Sequence, residues 1–597
     1  MSNISASDGS DTGMPAAAQV SALLRQRVEA HVGLIYPQAD AGELTAQLLD
    51  AFWPDGTSPS APHAADASSL SPADCVLITY GNSIVDGNNP PLVLLNDFLH
   101  RHLDRVIPGV HILPFFPYTS DDGFAVVDYY RVNSLLGDWA HITRIADDFR
   151  LMGDLVLNHV SSSHQWMVEF RQDKSPGNGF IKYANEGDDL SQVVRPRSHP
   201  LLNPVETAAG LRNVWCTFSH DQVDVDFSNP GLLVEYIRIL RFLIDKGLRI
   251  VRLDAVAFIW KVPGTDCIHL PETHEIVRLM RTLCDHCEHE ITLITETNVP
   301  NHENLTYFGN RNEAHAIYNF SLPPLLVHAL LSGSCAALNK WLMTMPQAQL
   351  GCAYLNFTAS HDGIGLRPLE GLLSDDEKLA MIEAITGFGG LLSMRKAADG
   401  SDHPYEMNIA LFDAMRGTLD GPDTHQVERF LCSQTVMMSL QGIPAFYIHS
   451  LLATPNDVAG VERTSHNRTI NRSQLDYGDL EAELADETSN RHKVFKRLKQ
   501  LIAIRSRQSA FHPNALQSVM QLGPGLFGVE RVSLDQSQTI LAIANMQPRT
   551  AVLNTVSLDL APGSTWCDLI SGAPCSSTPC ELELAPYQCI WLSNTEG

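Results

Sequence analysis

Leu248-Arg-Ile-Val-Arg-Leu-Asp254 decides the fold of this 597-residue chain, because it is an apolar run of strand length that ends in a carboxylate. Runs rich in Val, Ile and Leu are typical of buried strands in a parallel sheet. Carboxylates at the carboxyl ends of such strands mark the face on which parallel barrels do chemistry. Three further stretches fit the same pattern: Asp154-Leu-Val-Leu-Asn158-His159, Thr295-Glu296-Thr297 and Ser360-His361-Asp362.

Strand-length apolar runs alternate with helical patterns from Val76 onward, which is typical of repeated βα units. Eight such runs are present, so we predict an α/β fold built on a closed (β/α)8 TIM barrel. The candidate strands lie near residues 76–81, 110–116, 153–159, 248–256, 291–297, 316–322, 353–361 and 443–449.

The predicted domain organisation follows from the spacing of these strands and from the composition at both ends of the chain. Long gaps after the third and seventh strands indicate an inserted domain and a smaller insertion. A helical pair near 16–32 and 42–52 precedes a Ser- and Pro-rich linker, and alternating apolar residues follow Phe511. The predicted units are a helical extension and linker over 1–74, the barrel over 75–160 and 236–510, the inserted domain over 161–235, the insertion after strand seven over 363–430, and an antiparallel β-domain over 511–597.

The charge of the chain limits its partners. There are 68 acidic and 41 basic residues, which gives a net charge of −27. Such a surface disfavours nucleic acids and anionic membranes as partners. It would also repel phosphate, so a site for an anionic substrate must be built from local arginines.

The amino end and the cysteines bear on location. The first twenty residues have neither a basic patch nor a continuous apolar stretch, and a run long enough to span a membrane does not occur. We therefore expect a cytoplasmic protein without a membrane span. Twelve cysteines are too few for a disulfide framework. We interpret Cys284-Asp-His-Cys287-Glu-His289 as the polar end of a helix, because no second ligand pair lies nearby to complete a zinc site.

The three acids at strand ends define a candidate chemistry. Asp254, Glu296 and Asp362 come from different strands of one barrel, so we expect them to meet at its carboxyl rim. Two carboxylates on opposite sides of a glycosidic bond are the minimum for sugar transfer with retention. One attacks the anomeric carbon, and the other protonates the leaving oxygen. A third ionised carboxylate favours the positive charge of the transition state.

Side chains close to these acids support the same chemistry. Arg252 lies two residues before Asp254, so strand alternation puts both on one face, and we expect Arg252 to hold Asp254 ionised. His159 and His361 end strands beside polar neighbours. Neutral imidazoles in those places could bind sugar hydroxyls.

Several longer motifs resemble a known family, the retaining α-glucoside enzymes of the α-amylase superfamily, and within it the sucrose-phosphorylase-like branch. The resemblance extends over roughly residues 75 to 595, and it is the combination of motifs that makes it specific. The motifs are Gly109-Val-His-Ile-Leu-Pro-Phe-Phe-Pro117, Asp121-Asp-Gly-Phe124, Val127-Asp-Tyr-Tyr130, Arg195-Pro-Arg197, Phe218-Ser-His-Asp-Gln-Val-Asp224, Ser360-His-Asp-Gly-Ile-Gly365 and Ile470-Asn-Arg472.

The resemblance implies a role for individual residues. Asp254 would be the nucleophile, Glu296 the acid/base and Asp362 the transition-state stabiliser. Arg195 and Arg197 would contact phosphate, which must outcompete water for the glycosyl-enzyme. The implied glucose contacts are Asp121 and Arg472 at the far hydroxyls, Phe124 as an apolar platform, and His159 and His361 as hydroxyl ligands.

The acceptor is the part of the substrate that the resemblance leaves open. Sucrose-specific members usually carry Tyr and Gln where this chain has Phe258 and Glu406, two positions at the acceptor site. The chain looks more like the glucosylglycerate phosphorylase branch, while glucosylglycerol, sucrose and sucrose 6-phosphate phosphorylases remain alternatives.

The function implied is a hexosyltransferase that converts a small α-glucoside and inorganic phosphate into α-glucose 1-phosphate and an acceptor by double displacement. No metal or organic cofactor is implied, and a homodimer is compatible with the sequence. The rival hypotheses are an α-glucosidase or transglucosidase with the same acids, and a catalytically silent sugar-binding protein.

Overall fold

Eight parallel strands close into a barrel in the computed structural model of this protein, so the predicted fold class is confirmed. The structure describes residues 16–54, 57–63, 69–197, 199–396, 402–558, 560, 566–576 and 580–595. The barrel strands are β1 (Val76–Thr79), β2 (Gly109–Ile112), β3 (Arg150–Val156), β4 (Leu248–Asp254), β5 (Thr292–Thr295), β6 (Ala316–Tyr318), β7 (Ala353–Phe357) and β8 (Ile443–Tyr447). They follow each other around the barrel in chain order, and β8 pairs with β1.

The strands β3 and β4 form the most extensive contact in the barrel, and both are almost completely buried. A glycine makes their close approach possible. A Cβ atom added at Gly153 would lie 2.7 Å from a methyl carbon of Leu248. The register then sets Leu253 of β4 opposite Thr295 of β5, so that the two strands end at the same level.

Helices cover the outside of the barrel between most pairs of strands. A short helix over Asn301–Asn304 and a 3-10 turn over Leu305–Phe308 replace the long helix after β5. The long helices are Pro91–Phe98 after β1, Trp139–Asp148 after β2, Pro230–Asp245 after β3, Pro271–Asp285 after β4, Leu322–Ser332 and Ala336–Leu342 after β6, Gln426–Ser439 before β8, and Tyr477–Ala485 and Asn490–Arg505 after it.

The amino-terminal helices α1 (Ala16–Ile35) and α2 (Ala41–Phe52) pack on the barrel's helical layer. His31 Nδ1 lies 2.6 Å from Glu275 Oε1, and the Tyr36 hydroxyl donates to the Phe227 carbonyl at 2.8 Å. Buried apolar residues of both helices belong to the main hydrophobic core. These two helices of the predicted extension therefore pack on the outer surface of the barrel.

The linker after α2 packs against the Cys284–His289 stretch. Ser60 and His63 contact the backbone carbonyls of His286 and Cys287, in the turn that follows the helix Pro271–Asp285. Cys284, at the end of that helix, and Cys287, in the turn, are both buried. Among the described residues, no group of three or more His, Cys, Asp or Glu side chains is arranged to hold a metal ion.

The two insertions stand at the carboxyl ends of the barrel strands. The first contains two short helices (Gln165–Arg171 and Gly177–Phe180) and a three-stranded antiparallel sheet over Tyr183–Ala184, Leu202–Thr207 and Gly210–Trp215. The second contains a helix over Asp375–Gly387 and an antiparallel sheet over Ile364–Gly365, Leu391–Lys396 and Asp402–Asn408.

A six-stranded antiparallel sheet follows the barrel, as predicted. Its strands, in spatial order, are Leu516–Val519, Leu526–Val532, Thr539–Asn545, Cys589–Ser593, Trp566–Asp568 and Pro574–Cys575, and a separate ribbon pairs Ala551–Asn554 with Glu581–Leu584. No helix in the described part of the chain is long and apolar enough to cross a membrane.

Two buried arginines bind backbone carbonyls near the junction of this sheet and the barrel, Arg531 from the sheet and Arg505 from the helix that precedes it. Arg531 donates to the carbonyl oxygens of Ser439 and His512, both at 2.9 Å. Arg505 donates to the carbonyls of Met438 at 2.9 Å and Pro72 at 2.6 Å. Each guanidinium satisfies backbone acceptors that are shielded from water, so its loss leaves several of them unpaired.

We predict that Arg531→Met lowers the free energy of unfolding by about 3 kcal/mol, because it leaves buried carbonyls without donors. Urea-unfolding midpoints followed by tryptophan fluorescence measure the change. The matched control is Arg507→Met, since Arg507 donates to the Ala503 carbonyl at an exposed position, and we expect its effect to stay within about 0.5 kcal/mol. Equal midpoints for both variants would show that the Arg531 contacts do not stabilise the junction.

Candidate active site

The three predicted acids line one cleft at the carboxyl ends of the barrel strands. Asp254 is the last residue of β4, Glu296 follows β5, and Asp362 lies five residues beyond the end of β7. The backbone N–H of Glu296 donates to the Leu253 carbonyl at 3.1 Å, which sets Glu296 beside the end of β4. The closed barrel thus brings together residues that are more than a hundred positions apart in the chain.

Asp254 is held by a chain of buried polar groups. Arg252 Nη1 donates to Asp254 Oδ1 at 2.6 Å and to Asp154 Oδ1 at 2.5 Å. His111 Nε2 lies 2.6 Å from the other oxygen of Asp154. Burial acts to raise the pKa of Asp154, yet His111 and Arg252 lower it. The result is a rigid carboxylate that fixes the guanidinium below Asp254.

The effect of Arg252 on Asp254 differs from the expectation. The hydrogen bond is present, but burial and the neighbouring carboxylates Glu296, Asp154 and Asp362 outweigh it and raise the pKa of Asp254 well above its usual range. The sequence shows that an arginine lies near Asp254. It does not show how many other carboxylates lie in the same solvent-shielded site, and these carboxylates raise the pKa.

Glu296 is positioned by an unusual backbone conformation next to Asp254. Ala255 has a φ of +51°, in the left-handed region that non-glycine residues rarely adopt. Its N–H donates to Glu296 Oε2 at 3.1 Å. Burial, together with Asp362, raises the pKa of Glu296, and Arg252 opposes the shift from 3.9 Å. Local strain at this position therefore orients the second acid.

Asp362 is in an opposite electrostatic situation. Arg468 Nη1 lies 2.5 Å from Asp362 Oδ1, and Arg472 Nη2 lies 4.0 Å from the same oxygen. Although burial acts to raise the pKa of Asp362, Arg468, His361 and Arg472 lower it well below its usual range. Asp362 is thus ionised, whereas Asp254 and Glu296 favour sharing a proton.

Glu406 was predicted to contact substrate, but it lies behind the cleft wall and does not line it. Its two carboxylate oxygens accept from Arg468 Nε at 3.0 Å and Arg468 Nη2 at 2.7 Å. A Cβ atom at Gly363 would lie 2.4 Å from Glu406 Cγ. A glycine after Asp362 is therefore required for Glu406 to reach and orient Arg468, which itself lines the cleft.

The far end of the cleft contains the predicted pair of Asp121 and Arg472. Arg472 Nη1 lies 3.7 Å from Asp121 Oδ1 and 2.7 Å from Asp122 Oδ2, and its Nε donates to the His361 carbonyl at 2.8 Å. Asp121 lines the cleft, while Arg472 stands immediately behind it. Burial acts to raise the pKa of Asp121, yet Arg468 and Arg472 lower it, so the group is ionised.

Phe124 and the two predicted histidines form one side of the cleft. The Phe124 ring stacks on His361 with a centroid distance of 4.9 Å and an interplanar angle of 6°. His159 Nε2 lies 3.1 Å from the Phe124 carbonyl oxygen. Burial lowers the pKa of His159 to about 4 and that of His361 to about 3, so both rings are neutral at physiological pH.

Arg195, Arg197 and Phe258, which the sequence predicts for the acceptor half of the site, line the same cleft. Arg197 lies over the rings of Phe218 and Tyr405, with its guanidinium carbon 6.0 Å and 5.5 Å from their centroids. Aromatic faces support a guanidinium without neutralising it. Arg197 therefore remains available to an anion, and so does Arg195, whose Nε and Nη2 are buried without a hydrogen-bond partner among the described residues.

Lys261 is a buried cation beneath this half of the cleft. Its Nζ donates to Asn158 Oδ1 at 2.7 Å and to the Phe258 carbonyl at 2.8 Å, and lies 3.2 Å from Asp224 Oδ2. Burial lowers its pKa, and Asp224 opposes the shift. The ammonium group ties the end of β3, the first insertion and the Phe258 turn to one another.

The cleft as a whole is rich in positive charge, although the chain is strongly acidic. Six arginines and four carboxylates line it. Sequence reasoning found Arg195, Arg197 and Arg252 but missed the other three. The missed residues are Arg367 and Arg395 of the second insertion and Arg468 of the segment after β8. Only the spacing Arg468-Thr-Ile-Asn-Arg472, with arginines four apart, offered a signal.

Comparison with known proteins relates this site to a family. Residues 105–363 match the model of the alpha-amylase catalytic domain. The chain is 43% identical over 563 residues to a glucosylglycerate phosphorylase of Spirochaeta thermophila, covering 93% of this chain and 95% of that protein. It is 39% identical over 573 residues to a glucosylglycerate phosphorylase of Allomeiothermus silvanus, covering 95% and 98%. The solved structure of sucrose 6F-phosphate phosphorylase from Thermoanaerobacter thermosaccharolyticum shares the fold, with a TM-score of 0.69, 24% identity and coverage of 87% and 99%.

Proposed function

This chain belongs to the alpha-amylase family, and we propose that it is a retaining α-glucoside phosphorylase that acts on glucosylglycerate. The observation that carries the proposal is the composition of one cleft, in which a trio of buried or half-buried carboxylates is accompanied by a surplus of arginines. The carboxylates suit sugar transfer with retention. The arginines suit an anionic acceptor in a protein whose overall charge repels anions.

In the first half-reaction, Asp254 attacks the anomeric carbon and Glu296 protonates the leaving oxygen. The shared proton has to reside on Glu296 for this step. Arg252 favours that arrangement, because it donates directly to Asp254 at 2.6 Å but stays 3.9 Å from Glu296. A glucosyl ester on Asp254 forms, and the acceptor leaves with the proton of Glu296.

The glucosyl group would lie between Phe124 and the far pair of Asp121 and Arg472. The neutral rings of His159 and His361 can donate to its hydroxyls without adding positive charge beside the reacting carbon. Asp362 is held ionised by Arg468, so it can stabilise the positive charge that develops on the sugar ring.

In the second half-reaction, a phosphate oxygen attacks the same anomeric carbon and Glu296 accepts the proton. The ester bond to Asp254 breaks, and α-glucose 1-phosphate is released. Water must be outcompeted at this step, which requires phosphate to be held in place by charge-assisted hydrogen bonds. Arg195 and Arg197 are the proposed phosphate ligands, since they line the same cleft as the three acids.

The identity of the glucoside rests on the relatives. Two proteins named glucosylglycerate phosphorylase are 43% and 39% identical to this chain over nearly its full length. The proposed partners are accordingly a small α-glucoside and inorganic phosphate. The proposed location is the cytoplasm, with which twelve unpaired cysteines agree, since free thiols persist in a reducing compartment.

We predict that the protein releases phosphate from α-glucose 1-phosphate rapidly with glycerate, and slowly with glycerol, fructose, fructose 6-phosphate or no acceptor. The experiment is a phosphate-release assay on the purified chain with each compound in a separate reaction. Asp254→Asn lacks the nucleophile but keeps the shape of the side chain, and we expect it to lose activity by about a thousandfold or more.

Each other outcome would contradict one part of the proposed function. Equal release in every reaction, with free glucose as the product, would identify a hydrolase. Rapid release with glycerol or fructose in place of glycerate would reassign the acceptor. Release that is the same in Asp254→Asn and in the unmodified chain would mean that Asp254 does not react with the sugar.

The pH dependence tests the electrostatics of Glu296. Glu296 must be protonated in the first half-reaction, so kcat/KM for the glucoside falls as pH rises through its pKa. Arg468 acts to lower that pKa, and Asp362 acts to raise it. We predict that Arg468→Gln moves the basic limb of kcat/KM to higher pH and that Asp362→Asn moves the limb of its residual activity to lower pH.

Rate profiles from about pH 5 to about pH 9 measure these limbs. Arg468→Lys is the matched control, because it keeps the charge and should leave the limb in place. Displacement of both limbs in the same direction would contradict the assignment of Glu296 as the acid.

A further inference from the structure

The six arginines of the cleft are not equally available to a substrate. Arg252 is committed to Asp154 and Asp254, with hydrogen bonds of 2.5 and 2.6 Å. Arg468 is committed to Glu406 through two hydrogen bonds and to Asp362 at 2.5 Å. These two guanidiniums orient the carboxylates and have little charge left for a bound anion.

The remaining four arginines form two pairs on two different insertions. Arg195 and Arg197 belong to the insertion after β3, and Arg367 and Arg395 belong to the insertion after β7. The proposed function uses the first pair for phosphate. The second pair has no role in the reaction as derived so far.

The contacts of the second pair within the protein are weak. Arg367 Nη2 lies 3.6 Å from Glu303 Oε2, and that oxygen is already 3.0 Å from His269 Nε2. Arg395 Nη2 lies 3.3 Å from Glu370 Oε1, and half of the Glu370 side chain is exposed to solvent. Ion pairs of this length at a surface contribute little to stability, so holding these carboxylates does not account for the pair.

The position of the second pair adds an independent observation. Arg367 and Arg395 line the catalytic cleft and also a neighbouring cleft of about 380 Å³, which contains Lys378 and His403. The two guanidiniums therefore border both clefts, and Glu370 and Asp375 also line the neighbouring one.

The two compounds that accept the glucosyl group, phosphate and a hydroxy acid, require cations at different distances from the anomeric carbon. In phosphate the attacking oxygen belongs to the charged group itself, so its ligands must surround the point of attack. In a hydroxy acid the attacking hydroxyl is separated from the carboxylate by carbon atoms, so the charge lies further out. One pair of arginines cannot be optimal for both geometries.

We propose that Arg367 and Arg395 bind the carboxylate of the acceptor and thereby select a small hydroxy acid over a neutral polyol. The inference rests on the proposed phosphorylase function and deepens it, since it names the residues that recognise the anionic half of the glucoside. Arg195 and Arg197 then bind phosphate. Phosphate and the carboxylate of the acceptor therefore have separate arginine ligands, although both acceptors react at the same anomeric carbon.

The test compares charged and neutral acceptors in the synthetic direction, with α-glucose 1-phosphate as donor. Arg367→Gln, Arg395→Gln and the double variant are assayed with glycerate, with glycerol and with glyceramide, which keeps the hydroxyls but lacks the charge. We expect kcat/KM for glycerate to fall by about tenfold to a hundredfold in each single variant, as for the loss of a hydrogen bond to a charged group. We expect kcat/KM for glycerol and glyceramide to change by less than about twofold.

Two further variants establish that the effect comes from charge recognition. Arg395→Lys keeps a positive charge and should recover part of the glycerate activity. Arg144→Gln removes an exposed arginine of the helix Trp139–Asp148 and should leave every acceptor unaffected. In phosphorolysis, the KM for phosphate should stay unchanged in Arg367→Gln and Arg395→Gln and rise in Arg197→Gln.

The outcomes separate this inference from the function on which it rests. If the unmodified chain does not use glycerate, the proposed function fails. If it uses glycerate and the variants keep the original ratio of glycerate to glycerol activity, the assignment of Arg367 and Arg395 is overturned. An equal loss with charged and neutral acceptors also overturns it, because it would show that the two residues only maintain the shape of the cleft.

Discussion

The guanidinium of Arg252 bonds to carboxylates of two adjacent barrel strands, Asp154 on β3 and Asp254 at the end of β4. The position of this guanidinium depends on the pairing of β3 with β4. The arrangement of the acids in the cleft depends in turn on the guanidinium. His111, from a third strand, completes the chain by holding Asp154. Three consecutive strands therefore share a polar network at the centre of an otherwise apolar barrel, and removing one member would leave another charge buried without a partner.

Two arginines separate the protonation of acids that lie in one small space. Arg468 and Arg472 lower the pKa of Asp362, whereas burial and mutual repulsion raise the pKa values of Asp254 and Glu296. The two arginines thereby decide which of the three acids is ionised. The backbone at Ala255 contributes as well, since its left-handed conformation directs an N–H toward Glu296.

The cleft has two halves with different structural origins. Barrel strands and the short loops after them provide the acids, the histidines and Arg252, and these positions are fixed by the closed sheet. The insertions provide the arginines of the opposite half, together with Phe218 and Tyr405. A rigid sugar half and an acceptor half built on inserted loops would allow related barrels to keep one reaction at the glucose and change the acceptor.

The sequence by itself determined the barrel fold and the position of the acids at strand ends, because both depend on local sequence patterns. Apolar runs such as Leu248–Asp254 predict buried parallel strands, and their carboxyl ends must meet once the barrel closes. The pair Arg195 and Arg197 was also found from local sequence, with the acidic composition as the reason to look for it. Motifs also singled out Phe258, which lines the cleft, and Arg472, which lies near Asp121.

Only the tertiary structure decided which arginines face the cleft and which acids they neutralise. Glu406 pairs with Arg468 across 62 positions, and folding of the second insertion brings Arg367 and Arg395 to the cleft that Glu296 lines. The raised pKa of Asp254 likewise depends on distances among four carboxylates from different strands. Neither periodicity nor motif spacing encodes contacts of this kind, because they arise from how loops pack on one another after the strands have set the frame.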